Sequence, residues 1–117
     1  MFVFWIDKNK LITGLLEEFA KKANKKLYTL NSLNDAPFLI HDLKPDVVVI
    51  DAATFKESSS ELQAPILQAL TDLSVVITGE EFNSFLKLNL KVIGHLPKPL
   101  DIALALETVQ SMVELKQ

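Results

Sequence analysis

The sequence predicts an α/β fold built on one parallel β-sheet with helices on both faces. Three observations predict it. Short apolar runs alternate with segments of helical spacing five times along the 117 residues, and such alternation builds a doubly wound parallel sheet. The runs Phe2-Val3-Phe4-Trp5-Ile6 and Val47-Val48-Val49-Ile50 are apolar at every position, as strands covered on both faces are. Four runs lead into polar groups: Asp7, Asp51, Thr78, and Lys98-Pro99 beyond His95. In a parallel sheet those groups emerge together at the carboxyl edge, where ligands bind in open α/β folds.

Each element follows in order. Phe2 to Ile6 reads as a buried strand. Residues 9 to 24 carry Leu11, Ile12, Leu15, Leu16, Phe19, Ala20 and Ala23 at helical spacing, with Asn24 able to end the helix. Lys26 to Leu30 reads as a short second strand. Asp35-Ala36-Pro37 resembles a helix start with proline in the first turn, and Lys44-Pro45 stops that helix after Leu43. Asp46 to Asp51 is the clearest buried strand. Residues 52 to 61 read as a loop, in which Ser58, Ser59 and Ser60 serve as solvated loop and helix cap. Pro65 is placed near the start of a third helix that turns Ile66, Leu67, Leu70 and Leu73 inward. Ser74 to Thr78 is the fourth strand, Glu80 to Leu88 a short helix, and Lys91 to His95 the fifth strand. Leu100 to Leu115 closes the chain as an amphipathic helix, with Leu100, Ala103, Leu104, Leu106, Val109, Met112 and Val113 on or near one stripe. The expected organisation is a single domain over residues 1–117, and Met1 is expected to be the natural start.

Composition removes several classes of function. A hydrophobic content of 49% supports a core, and 23% charged residues is ordinary for a globular chain. A formal net charge of −3 disfavours general attraction to nucleic acid or anionic lipid. All twelve basic residues are lysine, so the bidentate arginine reader of guanine and phosphate is missing. The cluster Lys21, Lys22, Lys25 and Lys26 fits cations at a helix C-terminus. Without cysteine there is no thiolate metal site, disulfide or thiol redox chemistry. The first apolar run is too short, and lacks the basic flank, for a signal peptide. No apolar stretch reaches the roughly 18 residues of a membrane span, and the expected location is the cytoplasm.

Two carboxylates, a hydroxyl and an ammonium at one sheet edge form a set able to handle a metal ion and a phosphoryl group. Placed on this scaffold, the set resembles the receiver domain of bacterial response regulators, the CheY-like family, over nearly the whole chain. The resemblance rests on Asp7, Asp51, Thr78-Gly79 and Lys98-Pro99, in order and on matching elements. It implies a flavodoxin-like (βα)5 fold, a three-layer sandwich with strand order 2-1-3-4-5. It implies Asp51 as the phosphoacceptor, charged by a histidine kinase or a phosphotransfer protein. Thr78 matches the hydroxyl that binds the phosphoryl oxygens, and Lys98 the ammonium that pairs with the acceptor and then the phosphate. The Lys98-Pro99 peptide matches one that is usually cis in the family. His95 falls at the switching aromatic position. The chain would be a phosphoacceptor, not an enzyme beyond self-catalysed transfer and autodephosphorylation. It would meet its target through the fourth helix, fifth strand and fifth helix of the family pattern.

The physical logic agrees. A carboxylate attacking a phosphoryl group brings two anions together, so transfer needs positioning and positive charge. Lys98 supplies one charge. Mg²⁺, which takes one or two carboxylates plus waters and phosphate oxygens, could supply more at Asp7 and Asp51.

The sequence also departs from the family. Two adjacent acids are usual after the first strand, and here they read Asp7-Lys8. A cation thus replaces a metal ligand, and two unit charges about 4 Å apart interact by up to ~4 kcal/mol at an effective dielectric near 20. Metal binding is therefore expected to be weak or absent. Two placements are open for Lys8: against Asp51 as a built-in counterion, or out in solvent. The usual Met-Pro after the acceptor is Thr54-Phe55, and the glycine that follows it in the family is missing. His95 reads as a half-exposed strand residue, His41 as a helix-surface residue and Trp5 as core. Phe82, Phe85 and Leu86 are candidates for the partner surface but fit the core better.

Three functions compete: a receiver phosphorylated on Asp51, a phosphorylation-independent pseudo-receiver acting as an interaction module, and a nucleotide-binding enzyme. The last needs a glycine-rich turn after the first strand, and Asp7-Lys8-Asn9-Lys10 offers none. No serine nucleophile elbow or histidine cluster supports it either.

Overall fold

The computed structural model describes residues 1–80 and 82–116, apart from the Phe82 side chain. Five strands form one sheet: β1 (Phe2–Ile6), β2 (Lys26–Leu30), β3 (Val47–Asp51), β4 (Ser74–Thr78) and β5 (Lys91–Leu96). Their order is β2-β1-β3-β4-β5, and every pairing is parallel. The helices are α1 (Lys10–Lys22), α2 (Ala36–Leu43), α3 (Ala52–Lys56), α4 (Ser60–Ala69), α5 (Phe82–Phe85) and α6 (Ile102–Lys116). This is the flavodoxin-like sandwich expected from the sequence.

Side-chain alternation divides the core in two. Phe4, Ile6, Val48, Ile50, Val75 and Ile77 face one way, onto Ile40 of α2, Phe55 of α3, Ile66 of α4 and Phe85. Val3, Trp5, Val47, Val49 and Val76 face the other way, onto Leu16 and Ala20 of α1 and Ala105, Leu106 and Val109 of α6. Strands β1 and β3 are buried along their whole length, and so they hold whatever follows them at fixed positions.

Several details differ from expectation. Residues 52–56 form a helical turn rather than loop, because the Asp51 side chain caps it by accepting from the Thr54 backbone N–H. Pro65 lies inside α4, not near its start. Ser59 sits at the N-cap of α4 without a side-chain cap bond, while Ser58 Oγ donates to the Thr54 carbonyl at 2.8 Å. Leu11 and Leu15 of α1 and Leu104 of α6 point outward, because the sheet touches a narrower stripe of each helix than the spacing allowed. The expected Glu80–Leu88 helix is the single turn of α5, with Glu81 outside the described residues. Strand β5 runs one residue further, to Leu96. Phe85 is core and Leu86 is exposed, while the Phe82 side chain lies outside the described residues. Among the described residues, no helix is long and apolar enough to cross a membrane.

Candidate functional site

Asp7, Asp51, Thr78 and Lys98 meet at the carboxyl edge of β1, β3 and β4. The strand register places Asp51 beside Thr78. Asp7 is fully buried and Asp51 is 1% exposed, so both carboxylates need protein partners. Lys98 supplies the central one. Its Nζ lies 2.9 Å from Asp7 Oδ2 and 2.9 Å from Asp51 Oδ1, bridging the two. The Lys98-Pro99 peptide is cis, as the resemblance implied. Thr78 Oγ1 donates to Asp51 Oδ1 at 3.2 Å. Gly79 follows with φ of +98°, a left-handed conformation that glycine adopts without strain.

The other oxygens are taken as well. Asp7 Oδ1 accepts from the Asn9 backbone N–H at 2.9 Å. Asp51 Oδ2 accepts from Thr54 twice, at 2.9 Å from its backbone N–H and 2.7 Å from its hydroxyl. Burial works against ionisation of Asp51, but the Lys98 and Thr54 hydrogen bonds and the Lys98 charge outweigh it and hold the carboxyl below its ordinary 3.8. Burial likewise disfavours a charged Lys98, and Asp51 and Asp7 overcome it, keeping the ammonium above its ordinary 10.5.

Of the two placements left open by the sequence, Lys8 takes the solvent one: it is exposed and does not pair with Asp51. Its backbone N–H donates to Thr54 Oγ1 at 2.9 Å, and its ammonium pairs with Glu57 of the α3 C-cap. Thr54 belongs to α3 and Glu57 is its C-cap, so Lys8 ties the β1–α1 loop to α3. Asn31 adds a second brace, donating from Nδ2 to the Asp7 carbonyl at 2.8 Å and to Thr13 Oγ1 at 2.9 Å. Sequence reasoning missed Asn9, Asn31 and Glu57, and it noted Thr54 only as a departure. The usable signal was the three-residue step from Asp51 to Thr54, which is the spacing of a helix cap and its donor.

His95 is half-buried, and its Nε2 donates to the Gly79 carbonyl. His41 is exposed on α2. Trp5 is fully buried as expected, though its Nε1 has no hydrogen-bond partner. A groove of about 570 Å³ lies away from the site, between α2 and α4 at the amino edge of the sheet, floored by Pro37, Ile40, Pro45, Pro65 and Ala69. It shares no residue with the chemistry above.

The residues do not fit a divalent ion well. Mg²⁺ needs near-octahedral oxygen ligands, and all four carboxylate oxygens of Asp7 and Asp51 already carry protein donors. Among the described residues, no group of three or more His, Cys, Asp or Glu side chains is placed to hold a metal.

No protein-family model matches the chain, and no curated protein matches it. Solved structures do. A CheY-like response regulator receiver domain protein from Methanospirillum hungatei superposes with a TM-score of 0.76 at 12% identity, covering 97% of this chain and 94% of that one. The chemotaxis response regulator CheY4 of Vibrio cholerae gives a TM-score of 0.70 at 16% identity, with 94% and 96% covered. The beryllofluoride-activated NtrC receiver domain gives 0.72 at 22% identity, with 99% and 96% covered. The chain has the fold of CheY-like receiver domains.

Proposed function

We propose, from that fold and from the four side chains at its edge, that the chain is a signal receiver that takes a phosphoryl group on Asp51. The observation that carries this reading is the bridge of Lys98 between Asp7 and Asp51, with Thr78 on the same Asp51 oxygen. In the proposed reaction an Asp51 oxygen forms a new bond to phosphorus. With acetyl phosphate as donor, the bond between phosphorus and the acetyl oxygen breaks, and acetate leaves with the electron pair. Lys98 and Thr78 then transfer from the carboxylate to the phosphoryl oxygens, offsetting charge where it develops. The natural donor is a histidine kinase or phosphotransfer protein of the cytoplasm. A protein target then reads α5, β5 and α6, where Leu86 and Leu104 are exposed.

A second reading is favoured by the protein donor that each carboxylate oxygen already carries: a pseudo-receiver that binds partners without turning over phosphate. Intact mass after incubation with acetyl phosphate separates the two. The receiver reading expects a gain of one phosphoryl group that disappears in Asp51→Asn. Labelling that persists in Asp51→Asn removes it, and no labelling under any condition leaves the interaction module.

A further inference from the structure

We infer that Thr54 takes the place of a divalent cation on Asp51, so that the site neither binds nor requires one. A cation shared by two carboxylates does two things: it satisfies oxygen lone pairs and holds the two loops together. Here both tasks are done by protein groups. The backbone N–H and hydroxyl of Thr54 converge on Oδ2 of Asp51, the oxygen that Lys98 and Thr78 leave open. The same hydroxyl accepts the Lys8 N–H, which links the loop after β1 to the turn after β3.

Thr54 cannot easily give way. It is 4% exposed, and its hydroxyl has one donor and one acceptor in place, leaving no free rotation. Its helix is pinned by Phe55 against Phe85, with ring centroids 5.1 Å apart. The carbonyls that follow Asp51 are engaged too, Ala53 O by the Glu57 N–H and Thr54 O by Ser58 Oγ. An arriving ion would have to displace two hydrogen bonds from Oδ2.

The inference deepens the receiver reading and rests on it only for phosphoryl labelling; its metal arm stands alone. Mn²⁺ is titrated calorimetrically into the full chain, Lys8→Asp, Thr54→Val/Lys8→Asp and Thr54→Ser/Lys8→Asp. The wild type, Lys8→Asp and the serine double variant are expected to stay silent, because each keeps a hydroxyl on Oδ2. The valine double variant, with an added acid and Oδ2 partly released, is expected to bind at least about tenfold more tightly than Lys8→Asp, the equivalent of one hydrogen bond. Binding by the wild type, equal binding by Lys8→Asp and the valine double variant, or no binding by the latter overturns the inference. If the valine variant does not fold by circular dichroism, Thr54→Ala/Lys8→Asp carries the same test. Labelling by acetyl phosphate at equal rates with Mg²⁺ and with EDTA supports the inference. Labelling that needs Mg²⁺ overturns it and leaves Asp51 as acceptor. No labelling at all removes the acceptor reading, and the Mn²⁺ titration then decides the inference by itself.

Discussion

The middle of the sheet's carboxyl edge and its β5 margin are built to opposite standards. At the middle, β1, β3 and β4 end in buried polar groups, and each carboxylate oxygen of Asp7 and Asp51 has a protein donor. At the margin, β5 pairs on one side only and every one of its residues is at least partly exposed. A register shift opposite Val75 and Val76 makes Ile93 an extra residue, as in a β-bulge, and the preceding α5 has a single turn. The two regions meet where His95 reaches the Gly79 carbonyl and the Gly79 N–H reaches Leu96 O at 3.0 Å. The difference separates a charge-matched anchor from a lightly held border. A partly exposed edge strand paired on one side is expected to exchange its amide hydrogens before the buried middle of the sheet does.

The comparison breaks hardest at Lys98. Lys98→Met leaves two buried carboxylates facing each other, and removing one partner of a buried ion pair costs about 3–5 kcal/mol. Urea unfolding at neutral pH reads this loss. The pH profile sharpens it. In the wild type, the depressed Asp51 group contributes fully above its ordinary 3.8, and that contribution is lost as pH falls through the lower folded value. The raised Lys98 group contributes fully below its ordinary 10.5 and is lost as pH climbs through the higher folded value. The variant loses this pattern: acidification protonates Asp51, which has lost its ammonium partner, and raises its stability, while the wild type falls.

Smaller effects belong to the margin. Phe85→Ala removes the buried ring that packs on Phe55 and is expected to cost about 3 kcal/mol, the low end for a buried phenylalanine, because a single turn can collapse into the space. Gly94→Ala drives a β-carbon to within 2.2 Å of Met112 Sδ. The methionine can swing aside, so the cost is about 1 kcal/mol, near the bottom of the overpacking range. In a double-mutant cycle with Met112→Ala the two changes are less than additive. Leu86→Ser stays within about 0.5 kcal/mol, as exposed substitutions do. Its effect is expected in partner capture, and a melting curve beside a pull-down separates the two.

Most of the fold was legible because burial on both faces leaves an unbroken apolar run, and β1, β3 and β4 have such runs. Asp7, Asp51 and Thr78 could be placed at one edge for the same reason, each closing an apolar run, whereas Lys98 lies beyond His95 and Pro97 and was placed by the resemblance of its Lys-Pro pair. Lys8 and Thr54 were not legible. Their roles depend on the turn after Asp51 closing into a helix, and a five-residue helix has too few positions to show a period. The outward leucines of α1 and α6 were misjudged because spacing marks a face but not how much of it the sheet covers.

Trp5 gives the protein its own light source beside the site. It is the sole tryptophan, fully buried in β1 two residues before Asp7, with an indole N–H that has no hydrogen-bond partner. A dry indole emits at the blue end of its range, because no dipole around it can relax during the excited state. Any event that lets water or a polar group reach that N–H shifts the colour. The chain therefore reports on the opening of β1, an interior strand, without an added dye.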